Sequence, residues 1–263
     1  MGTFFFNVAY WLLSIVYAVM AAFAALSPGR EATGWIIRRY TRRMVQAMRT
    51  FAGIRLDVRG RERLPRGAFI IAAKHQSWGD GFCVYSQFDD LAFVTGDHLV
   101  KFPLLGTVLS KLGAIVVDNC GGIEARKALA ESAAKAREDG RRILIYPEGH
   151  LARVGEKFRY RTGVFHMYRD FGMPVVPQAT NLGLFWPQEK YEKHPGTAII
   201  EFLDPIPPGL DRAEFMERLE SAIEDKTAHL VAEATGGAVT PAIRVPAPDE
   251  ARKAEAAAKK AAA

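Results

Sequence analysis

The stretch from Phe4 to Leu26 runs for 23 residues without a charged side chain, and Asn7 and Ser14 are its only strongly polar residues. A helix of about 20 such residues is long enough to cross the hydrocarbon core of a bilayer. The stretch therefore predicts a membrane-anchoring helix. Two alternatives remain open: a signal peptide cleaved near residues 22–24, and an ordinary buried helix. A signal peptide normally carries Lys or Arg before its apolar run, and this chain has neither there.

The basic residues of the chain are concentrated in the segment that follows. Residues 30–66 contain eleven Arg against three acidic residues, a net charge of +8, while the whole chain carries +6. The apolar spacing over 35–51 predicts an amphipathic helix whose other face is rich in arginine. Such a helix beside an apolar one is typical of an anionic membrane surface. We favour a membrane-surface helix over a nucleic-acid patch or a solvated face. Because basic residues flank the apolar stretch on its C-terminal side, the sequence predicts an inner-membrane protein whose body is cytoplasmic.

Short apolar runs alternate with helical patterns in the rest of the chain. Strands are predicted at 69–73, 91–94, 114–117, 143–146, 175–179 and 198–203. Helices are predicted near 80–88, 101–112, 122–139, 163–172 and 211–235, the last capped by Asp211. This alternation predicts an α/β fold, a mostly parallel sheet covered by helices on both faces, with an N-terminal membrane-anchoring helical hairpin.

The same patterns divide the chain into three parts. Residues 1–55 are predicted to be the membrane anchor, 56–236 a single catalytic domain, and 237–263 a disordered tail rich in Ala, Lys and Pro. The two cysteines, Cys83 and Cys120, give neither a disulfide framework nor a zinc-site spacing.

A first group of polar residues, Lys74 to Asp80, follows the predicted strand at 69–73. In α/β sheets the chemistry lies beyond the carboxyl ends of the strands, which is where His75 falls. A loop carrying His75, with Asp80 in the first turn of the next helix, would let the carboxylate fix one imidazole nitrogen and leave the other as a base. A structural histidine beside a capping aspartate is the alternative.

A second group, Tyr146 to His150, follows the predicted strand at 143–146. Gly149 would let the backbone approach a ligand closely. The cations that follow, Arg153 among them, suit a phosphate, although a plain basic surface loop is the alternative. The sequence has no G-x-S-x-G elbow, P-loop, G-x-G-x-x-G or H-E-x-x-H. A candidate base with no Ser or Cys nucleophile nearby favours a reaction in which the substrate's own hydroxyl attacks directly.

In this order, these blocks resemble the 1-acyl-sn-glycerol-3-phosphate acyltransferases of the wider glycerolipid acyltransferase family. His75 and Asp80 match the family's H-x-x-x-x-D motif, residues 113–118 fit its second block, and residues 146–149 fit its proline-glutamate-glycine block. Val176-Pro177 fits the fourth block, and the resemblance extends over residues 4–235.

The resemblance implies transfer of a fatty acyl chain from acyl-CoA or acyl carrier protein to the 2-hydroxyl of 1-acyl-glycerol-3-phosphate, which gives phosphatidic acid. It implies that His75 is the general base and that Asp80 orients it, with no bound metal or cofactor. The residues expected to bind substrate are Lys74, Glu148, Gly149, Arg153 and Pro177.

The chain departs from the family pattern around the expected phosphate site. Relatives usually carry a basic residue at the position of Asp97, Asp-Arg where this chain has Asp118-Asn119, and Thr-Arg where it has His150-Leu151. We expect Arg153 to replace one missing cation. Because of these losses, a lysolipid without a phosphate, such as lyso-ornithine lipid, is the alternative acceptor. Metal-dependent hydrolysis and an inactive lipid-binding protein are further alternatives.

Overall fold

The computed structural model describes residues 1–96, 103–117, 131 and 134–251. The expectations for Asp97, Asp118 and Asn119, and most of the helix predicted over 122–139, lie outside the described residues.

The first two helices form the N-terminal hairpin that the sequence predicts. Helix α1 spans Gly2–Ala24, and α2 spans Glu31–Ala47 and continues into a π-helical turn over Met48–Ala52. The amphipathic pattern of α2 is confirmed, since Met44 is buried while Arg39 is exposed. By length and composition, α1 is the one helix in the described residues that could cross a membrane.

Most of the strands form a single sheet. Its members are β1 (Ile54–Arg59), β2 (Ile70–Ala73), β3 (Leu91–Gly96), β4 (Ile115–Val117), β5 (Arg142–Ile145), β7 (Val175–Thr180) and β8 (Gly196–Phe202). The strand order is β1-β8-β7-β2-β5-β3-β4. Neighbouring strands run parallel except for β7 and β8, which run antiparallel. The predicted mostly parallel sheet is therefore confirmed.

Helices cover both faces of this sheet. Besides α1 and α2, these helices are α3 (Asp80–Tyr85), α4 (Pro103–Lys111), α5 (Gly163–Phe171) and α6 (Arg212–Thr235). Alternate residues of β2 separate two apolar cores: Ile71 packs with α1, α2 and α3, whereas Ile70 packs with α5 and α6. The predicted cap of α6 is present, because Asp211 Oδ1 accepts hydrogen bonds from the backbone N–H groups of Ala213 and Glu214.

The sequence analysis did not predict β1, the edge strand of the sheet. Arg55, Asp57 and Arg59 alternate along it with partly buried apolar residues, and that charge hides the strand signal. The sheet therefore begins at Ile54, inside the segment assigned to the anchor.

Part of the predicted disordered tail is packed against the domain. Strand β9 (Ile243–Arg244) pairs with β6 (Glu156–Lys157), and Ala247 is buried with Ala152 and Phe158. Alternating apolar residues at 243, 245 and 247 give this segment its strand character. Residues 243–251 therefore form a strap over the loop that follows β5.

Candidate active site

His75 lies on the loop that leaves the carboxyl end of β2. The loop is held at two points, since the Lys74 N–H donates to the Gln178 carbonyl at 2.9 Å and the His75 carbonyl accepts from the Ala152 N–H at 2.8 Å. The His75 side chain keeps 18% of its surface exposed. The imidazole is therefore held in place and still open to a substrate.

Asp80 begins α3 and is buried directly behind His75. Its Oδ2 accepts from His75 Nδ1 at 2.9 Å and from the backbone N–H groups of Gln76 and Ser77 at 2.7 and 2.8 Å. The contact that the sequence predicted is thus present. A carboxylate can only accept hydrogen bonds, so His75 Nδ1 carries the proton and Nε2 offers its lone pair.

Tyr146, a residue for which the sequence analysis predicted no role of its own, completes this arrangement. Its ring stacks on the His75 imidazole, with centroids 3.9 Å apart and an interplanar angle of 17°. Tyr146 follows β5 directly, and β5 pairs with β2. An aromatic residue at the end of the strand next to β2 was the available signal.

Lys74 and Glu148, both expected to bind substrate, are instead buried together beneath the site. Lys74 Nζ donates to Glu148 Oε1 at 2.9 Å and to Glu224 Oε1 of α6 at 2.8 Å. Neither the Lys74 nor the Glu148 side chain is exposed. Tyr160 donates to the same Glu224 oxygen, and the Phe158 N–H donates to Glu148 Oε1. This geometry favours a structural role for both side chains over contact with substrate.

Burial dominates the electrostatics of this buried network. It raises the pKa of Glu148, although the Lys74 ammonium acts against the shift. Burial beside Glu224 also raises the pKa of Tyr160 well above its usual value. The network thus joins the loops after β2 and β5 to α6 through a charged contact that water does not reach.

The other expected substrate-binding residues lie in different surroundings. Gly149 is exposed with φ of +71°, and a Cβ there would lie 2.7 Å from Arg161 Nε, so the turn requires glycine. Pro177 is buried within β7, paired with Ala72 of β2. Arg153 is exposed and pairs with Glu189. Of these, Arg153 has a charged group accessible to a ligand.

A cavity of about 270 Å³ lies beside the His75 loop. It is lined by Gln76, Arg153, Val154, Gly183, Glu189 and Lys190, among others. Gln76 Oε1 is buried and has no hydrogen-bond partner in the described part of the chain. The cavity thus presents two cations and a carboxylate next to the residue that follows His75.

The chain is similar to known acyltransferases. A family model described as Acyltransferase matches residues 55–181. The 1-acyl-sn-glycerol-3-phosphate acyltransferase of Pseudomonas aeruginosa is 32% identical over 192 residues, which cover 72% of this chain and 75% of that protein. The protein of the same name from Saccharomyces cerevisiae is 26% identical, covering 72% and 63%.

A solved structure shares the fold. The crystal structure of the 1-acyl-sn-glycerophosphate (LPA) acyltransferase, PlsC, from Thermotoga maritima matches with a TM-score of 0.70 at 19% identity. The match covers 88% of this chain and 95% of that one. It supports the α/β architecture of this chain.

Proposed function

Because this chain belongs to the 1-acyl-sn-glycerol-3-phosphate acyltransferase family, we propose that it transfers a fatty acyl chain from an acyl thioester to the 2-hydroxyl of 1-acyl-glycerol-3-phosphate. The observation that carries the proposal is the bond between His75 Nδ1 and Asp80 Oδ2, at 2.9 Å. It leaves the other imidazole nitrogen free to accept a proton from a hydroxyl.

The reaction follows from this geometry. His75 Nε2 takes the proton of the 2-hydroxyl as its oxygen attacks the thioester carbonyl carbon. The C–O bond forms, the tetrahedral intermediate collapses, and the C–S bond breaks. The thiolate then takes the proton from His75, so the enzyme returns to its starting state. Asp80 stabilises the imidazolium that exists between the two proton transfers.

Direct transfer fits the surroundings of His75 better than an acyl-enzyme intermediate. Cys83, in the first turn of α3 after the histidine loop, is fully buried. Burial raises the pKa of its thiol, so it stays protonated and is a poor nucleophile. Ser77 is also fully buried, which keeps its hydroxyl from a thioester carbonyl, and that hydroxyl accepts a hydrogen bond from the Gly79 N–H at 3.0 Å. The substrate's own hydroxyl is therefore the nucleophile.

The cavity beside Gln76 supplies the acceptor's headgroup site in this proposal. Arg153 and Lys190 line it and would pair with the phosphate. Arg153 is now bound to Glu189, with Nη2 and Oε1 2.5 Å apart, and a phosphate would compete for the same guanidinium.

That carboxylate favours a second candidate acceptor. Glu189 and Arg153 together present one negative and one positive charge in the cavity. A zwitterionic headgroup such as that of lyso-ornithine lipid could pair with charges of both signs, whereas a phosphate pairs with the cations, Arg153 and Lys190, alone.

An acceptor comparison separates the two candidates. Purified full-length protein in detergent receives lysophosphatidic acid or lyso-ornithine lipid, with acyl-CoA and acyl carrier protein tested as donors. We expect product from lysophosphatidic acid. Arg153→Gln should raise KM for that acceptor roughly 10-fold, the loss of one charged hydrogen bond. The matched control is Arg159→Gln, which removes an exposed cation of the same loop. Product from the ornithine acceptor alone would contradict the phosphate assignment.

Membrane attachment belongs to the same proposal, because the acceptor dissolves in the bilayer. Helix α1 contacts the body along its length: Thr3 bonds with Lys193, Tyr10 packs on Trp186 and Ala21 lies in a core with Leu112. Its outer face carries exposed apolar residues, including Phe4, Val8, Trp11, Leu12, Ile15 and Phe23. Were α1 to cross the bilayer, the domain packed against it would have to enter the hydrocarbon. We therefore propose that α1 lies in one leaflet, and the arginine-rich segment at 30–66 supports the cytoplasmic leaflet of the inner membrane.

Two measurements test this placement. Leu12→Glu with Ile15→Glu should abolish sedimentation with vesicles containing anionic lipid, while Val239→Glu, an exposed apolar site elsewhere, should not. In inside-out membrane vesicles, protease should remove a tag added before Met1. A protected tag would mean that α1 spans the bilayer.

A further inference from the structure

Tyr146 lies face to face with the proposed base. Its ring centroid is 3.9 Å from that of the His75 imidazole. The pairing of β5 with β2 brings the two rings together, since each follows the carboxyl end of its strand. We infer that Tyr146 is a positioning residue that holds His75 and Asp80 in the geometry for proton transfer. This inference rests on the function proposed above.

The Tyr146 ring restricts a motion of the imidazole that the hydrogen bond to Asp80 leaves free, the tilt of its plane. One hydrogen bond at Nδ1 fixes a single point of the ring, and the plane can still tilt about it. The stack, with planes only 17° apart, removes that tilt. His75 Nε2 then keeps a constant direction toward the substrate's hydroxyl, which a proton transfer requires.

The hydroxyl of Tyr146 lies near the start of α3, which carries Asp80. Tyr146 Oη and Asp80 Oδ1 are both buried, and neither has a hydrogen-bond partner within the described ranges. Tyr146 Oη lies 3.9 Å from the position that a Cβ on Gly81 would take, next to Asp80 in the chain. Asp80 also acts electrostatically on Tyr146, so a single water between the two groups would join the phenol donor to the carboxylate acceptor.

The protonation states suit such a bond. Burial raises the pKa of Tyr146 well above its usual value, so the hydroxyl remains a donor at all working pH values. The titratable groups that act on it are Asp80 and Cys83, both on α3. Asp80 Oδ2 is already occupied by three donors. Tyr146 would therefore secure the second oxygen of the carboxylate that orients His75.

The test compares two variants of Tyr146 in full-length protein. Tyr146→Leu removes the stack, and we expect kcat to fall roughly 10-fold or more while KM changes less than about 2-fold. Tyr146→Phe keeps the ring and loses the hydroxyl, so kcat should fall only about 3-fold. In that variant Asp80 Oδ1 has no donor, so the carboxylate holds a protonated imidazole more firmly. The acidic limb of the kcat/KM profile should then move to higher pH.

The matched control is Tyr168→Phe. The Tyr168 ring also stacks on an aromatic residue, Phe215, and its hydroxyl bonds to Pro207 and Leu210 away from the site. This variant should lower the thermal midpoint and leave kcat and the pH profile unchanged. A purely structural Tyr146 would behave in the same way, and that result would overturn the inference.

A readout without turnover separates this inference from the proposed function. Diethylpyrocarbonate acylates imidazole nitrogen, and mass spectrometry measures the rate at His75. Loss of the stack in Tyr146→Leu should raise that rate several-fold. If wild-type protein transfers no acyl chain but the rate still rises, the function fails and the positioning role stands. If wild-type transfer is normal and both Tyr146 variants match Tyr168→Phe in kcat and reactivity, the positioning role fails alone.

Discussion

Replacing Lys74 with methionine should destabilise the protein more than any change of a surface ion pair. Lys74 Nζ lies 2.9 Å from Glu148 Oε1 and 2.8 Å from Glu224 Oε1, and none of the three side chains is more than 6% exposed. Without the ammonium, two carboxylates remain buried with no counter-charge. Removing one partner of a buried ion pair costs about 3–5 kcal/mol, and we expect a loss of unfolding free energy in that range.

The loss should depend on pH. Burial already raises the pKa of Glu148 in the folded protein, and Lys74 lowers it in part. In Lys74→Met the pKa of Glu148 in the folded protein rises further. At a pH above 4.5, the ordinary pKa of a glutamate, the unfolded chain has released this proton while the folded chain still holds it. Stability is then retained at low pH and falls as the pH rises through the raised pKa. Urea unfolding in detergent at about pH 5.5 and about pH 8 measures the free energy of unfolding of both proteins. We expect Lys74→Met to fall further below wild type at the higher pH.

The chain offers a matched control in Lys157→Met. Lys157 Nζ lies 2.7 Å from Glu220 Oε1, a similar distance, but these side chains are 24% and 34% exposed. Its loss should cost about 1 kcal/mol or less. Adding Glu148→Gln and Glu224→Gln to Lys74→Met should recover most of the stability. Equal costs for Lys74→Met and Lys157→Met, or no dependence on pH, would refute the buried-network argument.

Other substitutions test further parts of the structure. Asp80→Asn should lower kcat about 10²- to 10⁴-fold, because the amide no longer holds the His75 tautomer, and steady-state rates near wild type would exclude this role. Gly79→Ala places a Cβ 2.7 Å from the Trp186 ring and should cost about 1–3 kcal/mol in chemical unfolding. Ending the chain at Thr240 removes the strap and uncovers Phe158, so the thermal midpoint should fall. An unchanged midpoint would show that the strap does not support the domain.

Hydrophobic patterning was sufficient to predict most of the sheet. The buried strands β2, β5 and β7 are mostly apolar, and each lies within a residue or two of its predicted bounds. Edge strand β1 was missed because Arg55, Asp57 and Arg59 stand on one face of it, which stays partly exposed to solvent, so the strand has no apolar run.

The sequence predicted only those contacts of the site whose residues lie close together along the chain. His75 and Asp80 are five residues apart, and a loop followed by a helix turn brings them together, which was one of the two arrangements that the sequence left open. Glu148 and Glu224 are 74 and 150 residues from Lys74, and their pairing depends on how β2, β5 and α6 pack. A sequence does not show which charged side chains become buried partners over such separations. Contact with substrate was therefore the natural expectation for Lys74 and Glu148.

The most direct test of the account is acyl transfer to lysophosphatidic acid by the purified protein and by its His75→Ala variant. The account predicts phosphatidic acid from wild type, and a loss of about 10²- to 10⁴-fold in the variant at unchanged thermal stability. A variant that kept more than about a tenth of wild-type turnover would contradict the assignment of His75 as the general base.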